Sequence, residues 1–230
     1  MKKSHQTIAQ CVVPAVNMKK WRMMNNDWII EKHTEPFEWM TIDNYLPQQQ
    51  FDQLVKYCND NVHLYTRHPK ERKGKVTHRV GMGLEHRRGP EAAKAYSGDW
   101  QDIAINNFAM DEAFMREHFE HHRQFEDPLV AVHAINNTRP THVHSMHCES
   151  PRKVLSNILY VLPEESFGTL LYDQNQEFVC EVEWKPNRSL VMCGMDDVTW
   201  HNYKSTDDYH RFTLASFLMR SDKDIEKYGG

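Results

Sequence analysis

The chain has 230 residues, with 28 Lys and Arg against 32 Asp and Glu, 40% hydrophobic residues and a formal net charge of −4. That length can bury a real core in one domain, and the charge gives no global pull towards nucleic acid or an anionic membrane. No apolar run approaches transmembrane length, and the five cysteines form no Cys-x-x-Cys pair, which argues against a cysteine-built zinc module and for free thiols in a reducing cytoplasm.

In chain order, residues 1–20 begin with positive charge, but their apolar stretch is broken by Pro14 and Asn17. They do not read as a signal peptide. EWMTIDNYLPQQQFDQLVKYC, residues 38–58, reads as a strand leading into a helix expected over 48–61. Residues 67–88 hold eight Lys or Arg against two Glu, with interleaved glycines, and are expected to be a basic loop that could lie over a cavity mouth. No aromatic in this segment is available to stack on bases. From Pro90 to Arg123 helix formers recur, with Trp100, Ile103, Ile105, Phe108, Phe114 and Met115 as the apolar positions.

From Pro128 onward the pattern changes to short runs rich in β-branched, aromatic and apolar residues: 129–135, 142–146, 154–162, 169–172, 178–184, 189–193, 198–203 and 211–219. Turn-forming clusters separate them, including Asn136-Asn137 with Pro140, Pro186-Asn187 and Ser205 to Asp208. Regular short strands without intervening helices predict an antiparallel sandwich or barrel. Eight of them suit a jelly roll, whose two sheets enclose a small-molecule cavity. The expected organisation is one structural domain: supporting strands and helices over 1–127, a catalytic core over 128–220 and a tail over 221–230.

Three His-x-Glu triplets occur: His33-Thr34-Glu35, His118-Phe119-Glu120 and His147-Cys148-Glu149. Residues two apart share a side on a strand but diverge on a helix, so a working pair must lie on extended chain. The second triplet falls in a helical pattern, and the first stands in an N-terminal stretch without a comparable strand array. His147 and Glu149 sit among the predicted strands, with His201 downstream. Two imidazoles and a carboxylate are the set that holds a non-haem Fe(II) from one side and leaves the opposite positions open. Arg211 would suit an anionic co-substrate there, because guanidinium grips a carboxylate through two parallel hydrogen bonds. Thr213, two positions on, shares its strand face. A second histidine pair, His142 and His144, resembles the metal-binding His-x-His of cupins. By strand alternation it faces opposite to His147 unless a bulge intervenes.

HCESPRKVLSNILYVLP, then FGTLLY, WKPNRSLVMC and WHNYKSTDDYHRFTLASF, resembles the double-stranded β-helix core of Fe(II)/2-oxoglutarate-dependent oxygenases of the prolyl 4-hydroxylase type. The likeness extends more weakly to residues 38–58. It implies that His147, Glu149 and His201 are the catalytic iron ligands, and that Arg211, Thr213 and Tyr160 bind 2-oxoglutarate. The family's usual carboxylate is Asp; Glu149 carries one extra methylene. Supporting helices would pack on the larger sheet, and Cys148 would point away from the metal. The implied reaction uses Fe(II), 2-oxoglutarate and O2 as cofactor and co-substrates. It hydroxylates an unactivated C–H bond while 2-oxoglutarate becomes succinate and CO2. A prolyl residue in a peptide is the first substrate to expect and a small amino-acid-like molecule the next, with nucleic acid last. The alternative is a cupin-like metal-binding jelly roll, an isomerase or ligand sensor, without oxygenase turnover.

Overall fold

The computed structural model describes residues 27–62, 75–81, 100, 102–104, 117–119, 130–149, 153–194, 197–206 and 208–219. Among the described residues eleven strands are formed: β1 (Ile29–His33), β2 (Trp39–Asp43), β3 (Lys75–Gly81), β4 (Val130–Thr138), β5 (Val143–His147), β6 (Lys153–Leu162), β7 (Thr169–Tyr172), β8 (Phe178–Val182), β9 (Ser189–Cys193), β10 (His201–Lys204) and β11 (Arg211–Met219). Helix α1 (Gln48–Asp60) follows β2. Seven strands make the larger sheet in the order β1-β2-β9-β6-β11-β4-β3, and four make the smaller in the order β5-β10-β7-β8. Every pairing is antiparallel. Two facing antiparallel sheets with crossing connections make a jelly roll.

The central strands β2, β9, β6 and β11 of the larger sheet are buried on both faces, and alternation sorts their side chains. In β9, Val191 and Cys193 join the cluster that includes Phe51, Leu54 and Cys58 of α1, whereas Leu190 and Met192 face the other way, with Leu171 and Val182 of the smaller sheet. Phe51, Leu54 and Cys58 fall at helical spacing, which gives α1 its buried stripe. The same alternation runs through β11: Phe212, Leu214 and Leu218 lie in the helix-side cluster, leaving Arg211 and Thr213 for the inner face. Buried Asn187 ties the layers together. Its side chain accepts from the Leu46 amide and donates to the Leu46 carbonyl, each at 2.9 Å, so the β2–α1 connection is pinned to the turn before β9.

Several boundaries differ from expectation. β4 runs on through Asn136, Asn137 and Thr138, expected as a turn, because pairing with both β3 and β11 satisfies their backbone. β10 begins at His201 rather than at Val198. Residues 75–81, expected within a basic loop, form edge strand β3 against β4; β-branched Val76, Thr77 and Val80 suit a strand there. The rest of 67–88 lies outside the described residues, as does most of the helical stretch over 90–123. β1 was not expected. It pairs with β2, and its His33 ring stacks on Trp39 with centroids 3.8 Å apart, so the first triplet is built into packing. Phe119 of the second triplet is likewise core. Among the described residues, Cys58, Cys148, Cys180 and Cys193 are free thiols, and no helix is long and apolar enough to cross a membrane.

His133 on β4 is 3% exposed, and its Nδ1 lies 2.8 Å from the Ser216 hydroxyl. Burial lowers its pKa from 6.5 to about 4. The unfolded chain therefore takes up this proton below pH 6.5 while the folded protein refuses it until about pH 4. Stability contributed by this group is complete above pH 6.5 and is lost as pH falls towards 4, by on the order of 3 kcal/mol in all. Urea unfolding of wild type at pH 7 and pH 4.5 is expected to show that loss, and His133→Gln a flatter dependence. Equal slopes in the two proteins would remove His133 as the cause.

Candidate metal and anion site

The site is assembled where the first residue of β10 meets the last of β5. His201 pairs directly with His147, and their ring centroids lie 4.4 Å apart. The His147 Nδ1 lies 3.0 Å from the Ser145 carbonyl and the His201 Nδ1 lies 2.8 Å from the Thr199 carbonyl. A carbonyl only accepts, so both Nδ1 atoms carry a proton, which makes Nε2 the ligating atom of each ring in its neutral form. Burial foremost, and then the neighbouring His201, lowers the His147 pKa to about 4, so that ring is neutral at neutral pH. These are the tautomer and charge state that a metal-ligating histidine requires.

Glu149, just beyond β5, is 6% exposed. Its Oε1 lies 4.0 Å from the His201 Nε2. It accepts from the Lys153 ammonium at 2.5 Å on Oε2 and from the Ser156 hydroxyl at 2.6 Å on Oε1. Burial alone would raise its pKa; the Lys153 charge foremost, with the His201 ring beside it and the two hydrogen bonds, instead holds it at about 2. The carboxylate is thus ionised, as a ligand must be. Among the described residues no group of three or more His, Cys, Asp or Glu stands close enough to hold a metal as it is. The donor chemistry nevertheless fits a divalent ion: two imidazoles with ring centroids 4.4 Å apart stand beside an ionised carboxylate whose Oε1 is 4.0 Å from the His201 Nε2.

The bulge that strand alternation left open is present here. His144 pairs with Tyr203 while His147 pairs with His201, so three residue steps on β5 match two on β10. That bulge brings His144 round beside His147, with ring centroids 4.5 Å apart. His144 and His147 therefore do not belong to opposite faces.

Arg211 opens β11 and is 2% exposed. Its guanidinium lies 4.5 Å from the Trp184 ring centroid, 4.3 Å from that of Tyr203 and 5.5 Å from that of Tyr160. Its Nε and Nη2 are buried with no hydrogen-bond partner among the described residues. Burial pushes its pKa down, against the opposing influence of Tyr160 and Tyr203. A buried cation among aromatic faces, with two nitrogens unspent, is the shape of an anion site, because unsatisfied buried donors are costly and rare. Thr213 pairs directly across from Tyr160, and both are buried. The Tyr160 hydroxyl lies 2.8 Å from the Thr169 hydroxyl, and its ring stacks on Trp184 with centroids 4.5 Å apart.

Sequence reasoning had named His147, Glu149 and His201, which come together, and Arg211, Thr213 and Tyr160, which also come together. It missed Trp184, Tyr203, Lys153 and Ser156. Tyr203 was within reach, since it stands two residues after His201 on one strand. Trp184 was not, because it lies beyond the end of β8 and the chain path there is irregular. A cleft of about 380 Å³ lined by Glu164, Glu165, Ser166, Glu181, Glu183 and Trp184 shares only Trp184 with the residues named here. It contains none of the three metal candidates, so the chemistry is not read from it.

No protein-family model matches the chain, and no curated protein matches it in sequence. Solved structures do. A prolyl 4-hydroxylase from Pseudomonas putida is 12% identical, over 80% of this chain and 92% of that one, with a TM-score of 0.50. A prolyl hydroxylase from Trichoplax adhaerens, solved with a hypoxia inducible factor peptide fragment, is 13% identical, over 84% and 87%, with a TM-score of 0.52. A rice dioxygenase for auxin oxidation is 14% identical, over 81% and 74%, with a TM-score of 0.51. Against so little sequence identity, what the likeness carries is architecture: the chain has the fold of the prolyl 4-hydroxylase-like 2-oxoglutarate oxygenases.

Proposed function

We propose that the protein is an Fe(II)- and 2-oxoglutarate-dependent dioxygenase that hydroxylates an unactivated C–H bond. The observation that carries this reading is Arg211, a buried guanidinium with two unpartnered nitrogens, on the same inner side of the sandwich as the His147–His201 pair. His147, His201 and Glu149 would hold the metal. Arg211, with the Thr213 hydroxyl and Tyr160, would hold the far carboxylate of 2-oxoglutarate. Iron with this keto acid and O2 supplies the oxidising power, and decarboxylation to succinate and CO2 accompanies the hydroxylation. The chain's own part is to bind, orient and exclude water. Trp184 and Tyr203 cover the guanidinium, which keeps the local dielectric low and strengthens its pairing with an anion.

For the substrate, a prolyl residue in a peptide comes first and a small amino-acid-like molecule second. The Trichoplax structure contains a peptide and the rice enzyme is described for auxin; the shared fold accommodates both sizes and does not choose between them. A second reading, a cupin-like metal site without oxygenase turnover, draws on the bulge that brings His144 beside His147. The two differ in what they consume. Protein loaded with Fe(II) is expected to bind 2-oxoglutarate and to release succinate in air, most strongly when substrate is present. No binding of 2-oxoglutarate to Fe(II)- or Mn(II)-loaded protein would sink the oxygenase reading and leave the cupin-like one.

A further inference from the structure

Glu149 has three side-chain torsions to order, one more than an aspartate in its place, and an unrestrained carboxylate would spend little time facing the imidazoles. In the folded chain it is anchored at both oxygens. The Lys153 ammonium is 2.5 Å from Oε2 and the Ser156 hydroxyl is 2.6 Å from Oε1. The oxygen on the imidazole side is Oε1, which lies 4.0 Å from the His201 Nε2. Ser156 takes one of its lone pairs and leaves another.

The two anchors are themselves held. Ser156 is 0% exposed on β6. The Lys153 ammonium sits 3.9 Å from the centroid of the Phe217 ring. Gly194 closes over the start of β6: its amide donates to the Val154 carbonyl at 2.8 Å, and a Cβ there would fall 1.9 Å from the Lys153 carbonyl oxygen. Only a residue without a side chain allows that approach.

We infer that Lys153 and Ser156 are positioning residues for the metal: Lys153 retains Oε2, Ser156 steers Oε1, and Glu149 is thereby presented as a one-oxygen ligand beside His201. This rests on the metal-site reading given above. Groups that orient ligands without touching the metal commonly contribute about 10–100-fold to affinity. The opposite role is also physically reasonable, with the ammonium competing with the metal for the carboxylate, and the two differ in sign.

Calorimetric titration of metal-free protein with Mn(II) separates them without any turnover. Lys153→Met and Ser156→Ala are each expected to bind Mn(II) about 10–100-fold more weakly than wild type, and Lys153→Arg to recover most of the loss because it keeps the charge. Ser156→Ala removes one neutral hydroxyl, so it stays informative should Lys153→Met fail to fold, and circular dichroism checks both. Lys153→Met or Ser156→Ala binding Mn(II) as tightly as wild type, or more tightly, would overturn the positioning role while leaving the metal site intact. Absence of Mn(II) binding by wild type would overturn both, and loss of binding in His201→Ala confirms that the titration reports this site.

Discussion

Arg211→Met is expected to make the metal-free, ligand-free protein at least as stable as wild type while abolishing its response to 2-oxoglutarate. The guanidinium is 2% exposed, and its Nε and Nη2 are unpartnered among the described residues. Each buried unsatisfied donor costs roughly 1–3 kcal/mol, and more for a charged group. Replacing a buried charge that lacks an ionic partner by an apolar side chain of similar length is often neutral or stabilising. Contacts with Trp184, Tyr203 and Tyr160 offset part of that cost in wild type, and methionine keeps favourable contacts with the same rings. Binding should move the other way. Losing a two-pronged charged pairing is expected to weaken 2-oxoglutarate by about 100-fold or more. Thermal unfolding with and without 2-oxoglutarate and Mn(II) reads both effects. Wild type should gain about 2.7 kcal/mol when the ligand is at 100 times its dissociation constant, and Arg211→Met should gain almost nothing. A variant that is strongly destabilised yet still stabilised by 2-oxoglutarate would show that Arg211 is a structural cation and not the anion site.

His201→Ala is expected to remove metal binding, by more than about 100-fold, since loss of a ligand should exceed the effect of losing a group that merely orients one. The imidazole is 6% exposed and oriented by the Thr199 carbonyl through Nδ1, which leaves Nε2 as the atom that would ligate. Anaerobic addition of Fe(II) and 2-oxoglutarate to wild type should give the visible metal-to-ligand charge-transfer band of a chelated keto acid, and the variant should lack it. A band unchanged by the substitution would place the metal elsewhere. The cupin-like reading makes a distinct demand, namely metal binding that depends on His144 as strongly as on His201.

Much of this site was legible before any coordinates because strand chemistry is local. Enrichment in β-branched, aromatic and apolar residues between turn signals marked the eight core runs, and the observed β4 to β11 coincide with them apart from their ends. Strand alternation put Arg211 and Thr213 on one face. The residues around them were harder to see for a physical reason: each owes its place to the path of the chain between strands and not to side-chain period within one. Trp184 reaches Arg211 only because the smaller sheet folds over the larger. Lys153 and Ser156 reach Glu149 across the β5–β6 connection, at separations of four and seven residues with no fixed local geometry.

By itself, the sequence marked the eight strands of the core, the jelly-roll class and six of the residues that converge, since these follow from residue type and turn signals. Tertiary structure decided their neighbours. Alternation alone assigned His144 and His147 to opposite faces, and the mismatch of β5 against β10 brought them together, because a bulge is a property of two paired strands and not of one. Arg211 reads from sequence as a charge on a strand; closing two sheets over it turned it into a buried cation lacking a partner, since the cost of desolvation exists only once water has been removed.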